Sequence, residues 1–175
     1  MSLTTIKHCA KFDTEEQKAI TTRTIKMALF LSSYENRLDN KGRISVPAAF
    51  RSSLNSENFA GVVLYRSFTH NCIEGLSMSR MEKMANATDK MGVYDNELDD
   101  LSALLFADAR PLAFDVTGRI VIPSELLKHA NITDKALFVG RGNSFQIWNP
   151  DDFEKVQKTS LINLKKVRPS LKISE

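Results

Sequence analysis

A chain of 175 residues with 42% apolar side chains is long enough to bury a hydrophobic core, and fits one domain or two small ones. Its formal charge of +3 falls well short of the basic balance that would by itself mark a nucleic-acid binder, and no run of about 18 apolar residues is present to span a bilayer. Cys9 and Cys72 are too few and too far apart for a disulfide framework, a zinc site or a CxxC redox pair, so both are expected as free thiols.

Residues 1–26 lack the basic-then-apolar pattern of a secretory leader, which makes the cytoplasm the expected location. Lys7, Lys11, Lys18, Arg23 and Lys26 give this stretch the character of a basic arm, and Asp13–Ile20 has the makings of a short helix; disorder is the favoured reading. Asp39-Asn-Lys-Gly-Arg-Ile-Ser-Val-Pro47 then reads as a hairpin, a tight turn between two short strands. Gly42 supplies the positive φ, Asp39 accepts turn N–H groups, and Arg43–Val46 is a β-branched run stopped by Pro47. Pro47 suits the first turn of a helix over Ala48–Leu54. Val62–Phe68 and Cys72–Glu74 flank the turn Thr69–Asn71 and predict another hairpin. Helices follow over Met78–Met84 and Asn96–Ala107; Met78, Met81 and Met84 recur at helical spacing, as core in the favoured reading and as a subunit contact in the other.

The second half repeats this order. Asp115-Val-Thr-Gly-Arg-Ile-Val-Ile-Pro123 matches the first motif at a constant offset of 76 residues, both copies reading D-x-x-G-R-I-x-(V/I)-P, with Asp115 and Gly118 as the turn residues. A helix over Ser124–His129 follows, then Ala136–Val139 and Phe145–Trp148 flanking Gly140-Arg-Gly-Asn143, then a helix over Asp151–Lys166. Asn149-Pro-Asp-Asp152 is a start signal for that last helix: a capping Asn, a Pro at the first position, and acids facing the helix dipole. The stretch Lys155–Glu175 carries six cations against one acid, and is read as a solvated helix face. The fold class is thus α+β, built from two hairpin-helix-hairpin-helix units. Each unit is too small to bury its apolar face alone, so the two are expected to pack about a pseudo-twofold axis, with strands free to exchange between halves.

An enzyme would need acid, base or nucleophile groups that converge, yet His8, His70 and His129 fall in unrelated contexts, and neither a P-loop nor G-x-G-x-x-G is present. Gly140-Arg-Gly142 lies inside a predicted hairpin and is turn chemistry. No cluster with metal-ligand spacing occurs, and no metal or organic cofactor is expected.

The paired motifs, the opening Phe30-Leu-Ser-Ser-Tyr-Glu-Asn-Arg-Leu-Asp-Asn-Lys-Gly-Arg43 and the run Leu137-Phe-Val-Gly-Arg-Gly-Asn-Ser-Phe-Gln-Ile-Trp148 resemble the MraZ family over about Met27–Lys166. Met27 stands where members of that family begin, which makes an extended start a second reading of residues 1–26. The resemblance implies two SpoVT-AbrB-like units, 27–108 and 109–166, in a swapped-hairpin, double-psi β-barrel-like body, followed by a tail over 167–175. It also implies a regulator of the division and cell-wall gene cluster that forms ring-like homo-oligomers on the nucleoid, binds direct repeats in promoter DNA, and contacts no membrane. By position, DNA contact carries over to Lys41 and Arg43, with Arg37 and Arg51 as neighbours. Local charge agrees: Tyr34–Arg51 holds those four cations against Glu35 and Asp39, whereas Phe114–Lys135 is neutral. Arg119 also matches the motif, but Thr117 replaces Lys41 there, and for Arg119 internal pairing with Asp115 is favoured over DNA. Because one weakly basic protomer should bind poorly, an array engaging successive repeats is expected. Two other readings stand beside this one: a ring scaffold whose basic hairpins hold an acidic protein, and an antitoxin-like module, against which the duplication within one chain argues.

Overall fold

The computed structural model describes residues 28–90 and 96–167. The expectations for residues 1–26, for Cys9 and for the tail beyond 167 lie outside the described residues. In chain order the elements are β1 (Ser33–Arg37), β2 (Arg43–Ser45), α1 (Ala48–Ser53), β3 (Gly61–Arg66), β4 (Ile73–Leu76), α2 (Met78–Lys90), α3 (Asn96–Asp108), β5 (Arg110–Ala113), β6 (Arg119–Val121), α4 (Ser124–His129), β7 (Lys135–Gly140), β8 (Phe145–Trp148) and α5 (Pro150–Val167).

Among the described residues, six strands form one antiparallel sheet in the order β1-β7-β8-β4-β3-β5, and β2 and β6 pair only with each other. The two repeats are symmetric about the centre of that sheet. There β4 lies against β8, with Ile73 opposite Ile147 and Gly75 opposite Phe145. The predicted hairpins β3–β4 and β7–β8 are present. The D-x-x-G-R segments, however, are not hairpins: each makes its tight turn, but the strands it joins have different partners. β1 pairs with β7, β5 with β3, and the short strands after the turns meet each other, Arg43 opposite Val121 and Ile44 opposite Ile120. Exchange is sealed by two dyad-related bonds, Val46 N–H to Gly118 C=O (3.1 Å) and Ile122 N–H to Gly42 C=O (2.9 Å). A two-stranded ribbon therefore links the opposite edges of the six-stranded sheet.

Period-two alternation explains the ribbon's orientation: Ile44 and Ile120 point inward and are fully buried, while Ser45 and Val121 are exposed. Beneath it lies the main core, where Phe30, Phe50, Phe138 and Phe145 pack edge-on and tilted with centroids 5.0–6.3 Å apart. Phe50 and Leu126 occupy equivalent places on α1 and α4, both fully buried. Gly75 has no room for a Cβ because the Phe145 ring lies across it. Pro47 and Pro123 precede their helices as extended N-cap residues (ψ 137° and 141°), one position earlier than the first-turn placement expected of them.

The opposite sheet face is covered by the closing helices. α2 and α3 pack on Val63, Tyr65 and Leu76 through Met81 and Leu105, with Met78 and Met84 at the margin, so the methionine stripe belongs to the core. α5 covers Cys72, Val139 and Trp148 with Phe153 and Val156. Asn149 caps α5 as expected, its Oδ1 accepting the Asp151 N–H at 2.9 Å. Cys72 is a buried free thiol. Among the described residues, no helix is long and apolar enough to cross a membrane.

Candidate nucleic-acid interface

The exposed side of the ribbon carries Arg43, Ser45, Arg119 and Val121, since these alternate with the buried isoleucines. Arg43 and Arg119 are diagonal neighbours across the ladder, about 7–8 Å apart at Cα by strand geometry, and are exchanged by the pseudo-twofold axis.

Each arginine is fixed by the aspartate that opens its turn. Asp39 Oδ1 accepts the N–H groups of Lys41 (2.9 Å) and Arg43 (3.0 Å), and its Oδ2 accepts Arg43 Nε at 2.6 Å. Asp115 repeats the pattern with Thr117 N–H (2.8 Å), Arg119 N–H (2.9 Å) and Arg119 Nε (3.0 Å), and also accepts the Thr117 hydroxyl at 2.7 Å. Gly42 and Gly118 turn the chain at φ +74° and +75°, each donating its N–H to the aspartate carbonyl (2.9 Å). The Arg43 N–H, ahead of the guanidinium, holds the Asp39 carboxyl below its ordinary range. The Arg119 N–H and the Thr117 hydroxyl hold Asp115 further below it.

The contrast expected between the two arginines is absent from this geometry. Both are paired internally, and in the same way. Pairing and outward function are compatible because the ion pair uses Nε alone, and Arg43 and Arg119 remain 41% and 40% exposed. Among the described residues neither guanidinium spends an Nη group on a hydrogen bond, so both present a two-donor edge outward. Such an edge matches a phosphate or the paired acceptors of guanine.

The other candidate cations spread around the ribbon. Lys41 is exposed at the tip of the first turn. Arg37 ends β1, exposed and opposite Lys135, whose ammonium is paired to Glu35 at 3.0 Å. Arg51 is not beside the first turn, although it follows the first motif in sequence. It lies on the second turn, where its Nε donates to Val46 C=O (3.1 Å) and its guanidinium crosses Gly118. Its dyad mate on the first turn is Leu127. Sequence reasoning also missed Asn36, whose Nδ2 donates to Ser45 C=O at 2.7 Å and ties β1 to the ribbon. The 76-residue offset was the one signal from which the cross-dyad contact of Arg51 with Gly118 was recoverable. Among the described residues, no group of three or more His, Cys, Asp or Glu gathers to hold a metal.

Residues 29–98 and 105–168 match the family model described as "MraZ protein, putative antitoxin-like". The chain is 44% identical over 129 residues to the Transcriptional regulator MraZ of Rickettsia peacockii, covering 74% of this chain and 87% of that one. It is 42% identical over 144 residues to the protein of the same name from Pelagibacter ubique, covering 82% and 93%. A third relative, from Rickettsia akari, is 42% identical over 134 residues, 77% of this chain and 90% of its own length. With both repeats matched and nearly the whole length of these relatives covered, the chain belongs to the MraZ family.

Proposed function

We propose that this protein is a sequence-specific DNA-binding transcriptional regulator that reads short direct repeats in the promoter of the division and cell-wall gene cluster, with Lys41 and Arg43 of the first unit as its principal contacts and Arg37, Arg51 and Arg119 beside them. The observation that carries this reading is the outer face of the β2–β6 ribbon, where two arginines are anchored at Nε and offer their Nη edges to solvent. A two-stranded ribbon fits the major groove, and anchored guanidiniums lose little freedom on binding a base edge or phosphate. Relatives 42% and 44% identical to this chain carry the name of transcriptional regulators.

Assembly into a ring supplies what one protomer lacks. Net charge is only +3, so affinity is expected from several copies engaging successive repeats. Leu161, Ile162 and Leu164 on the outer half of α5 are each more than half exposed, and Phe68 and Leu31 likewise, which supports self-association through these faces. Activity on the nucleoid in the cytoplasm follows from this reading.

A gel-shift titration against DNA from upstream of the protein's own gene, with scrambled duplex as competitor, tests it. The wild-type chain should shift the promoter fragment selectively, and Arg43→Ala should abolish the preference; equal binding to scrambled DNA would favour the scaffold reading, in which the same cations hold an acidic protein.

A further inference from the structure

The two turns are alike in backbone and unlike in charge. The tip of the first carries Lys41, exposed and able to meet a phosphate. At the same place in the second stands Thr117, whose hydroxyl and N–H are both spent on Asp115. A reader built on a pseudo-twofold would thus have a cation at one end only, were it not for Arg51.

Arg51 starts from α1, in the first unit, and crosses the dyad. Its Nε is anchored on Val46 C=O, and Val46 N–H is in turn bonded to Gly118 C=O, so the arginine is held to the second turn through one shared residue. Its guanidinium lies against that turn. A Cβ at Gly118 would overlap Nη1 and stand 2.5 Å from Cζ, whereas a Cβ at Gly42 would meet the dyad-related Leu127 at an ordinary 3.7 Å. Gly118 therefore serves two ends, the positive φ of the turn and the close approach of a charged group. Among the described residues no acceptor is bonded to either Nη of Arg51, and the side chain is only half-buried. A cation anchored through Nε, with its fork uncommitted, is built to hold something outside the protein.

We infer that Arg51 is the phosphate-binding cation of the second turn, supplied across the dyad in place of the lysine that turn lacks. This rests on the DNA-binding reading above and assigns a specific part of it. The consequence is a head with one phosphate clamp at each end: Lys41 at the first turn and Arg51 at the second, with Arg43 and Arg119 between them on the ribbon.

The test measures affinity of the full chain for the promoter duplex across a salt series, with thermal melting as a control. Leucine is the side chain nature places at the dyad-related position 127, so Arg51→Leu should fold. Loss of one phosphate contact should flatten the slope of log K against log salt by about 0.9 per bound protomer, and weaken binding about eightfold near 0.1 M salt. Arg51→Lys should retain most of the slope. Thr117→Lys placed in the Arg51→Leu background should restore it, by giving the second turn the tip cation of the first. An unchanged slope in Arg51→Leu would overturn the assignment. So would a loss that Thr117→Lys fails to repair and that tracks a fall in melting temperature, which would make Arg51 a brace only. Wild-type protein without promoter preference would instead defeat the DNA reading itself, so the two failures are told apart.

Discussion

At the scale of single residues, the turn aspartates do two things at once. Each closes a tight turn by accepting backbone N–H groups, and each aims an arginine by holding its Nε. Both therefore favour the carboxylate, and both titrate below their ordinary range when folded, Asp115 more strongly because it also accepts the Thr117 hydroxyl. A folded value below the unfolded one means that the stabilisation is complete above the ordinary carboxylate range, and is lost as pH falls from there through the folded value. At neutral pH, Asp39→Asn and Asp115→Asn should each melt below wild type. The gap should shrink on acidification, and for Asp39 it should close at the higher pH of the two. Melting curves taken from pH 7 downward check this; variants that melt with wild type at pH 7 would show that the carboxylates contribute nothing to the fold.

At the scale of elements, the junction between the repeats is held by a buried acid. Asp108, the last residue of α3, accepts the backbone N–H of Arg66 at 2.8 Å and both Nε and Nη2 of its guanidinium at 2.8–3.0 Å. This pins the end of α3 to the end of β3, the strand on which β5 must then pair. Asp108→Ala leaves an unpaired N–H and a stranded guanidinium, and should cost about 1–3 kcal/mol in urea unfolding. Asp108→Asn keeps an acceptor for the N–H and should cost less. An unchanged midpoint in the alanine variant would remove the junction from the list of stabilising contacts. Nothing in the local sequence announced this pair, because its partners stand 42 residues apart with no pattern to join them. What was legible was short in range: the turn glycines 42 and 118, the Asn149 cap, the β3–β4 and β7–β8 hairpins, and the methionine stripe. The misread element was the D-x-x-G-R hairpin. Its turn chemistry is identical whether the strand beyond it folds back or leaves for a partner 76 residues away, and exchange was signalled only by the repeat and by the swapped-hairpin body that the family resemblance implies. The same limit hid the place of Arg51, which belongs by sequence to the first turn and by geometry to the second.

At the scale of the molecule, exchange makes the two repeats one folding unit. β1 of the first pairs with β7 of the second, β5 of the second with β3 of the first, and the ribbon takes one strand from each. Neither repeat can leave without exposing the other's edge strands and the shared phenylalanine core. Cys72 reports on this, for it belongs to the first repeat but is covered by Val139, Trp148 and α5 of the second. Burial pushes its thiol up to about 12, so the folded protein holds it as an unreactive thiol at neutral pH. In a Cys9→Ser background, pulse labelling of Cys72 along a urea titration should therefore follow the same transition as far-UV circular dichroism and as the fluorescence of Trp148, the chain's single tryptophan. Separate folding of the repeats predicts a different order: the second repeat could open first, baring Cys72 and Trp148 while half of the circular dichroism signal persists. Coincidence of all three midpoints is the outcome the interleaved topology requires, and a labelling transition at lower urea than the loss of secondary structure would contradict it.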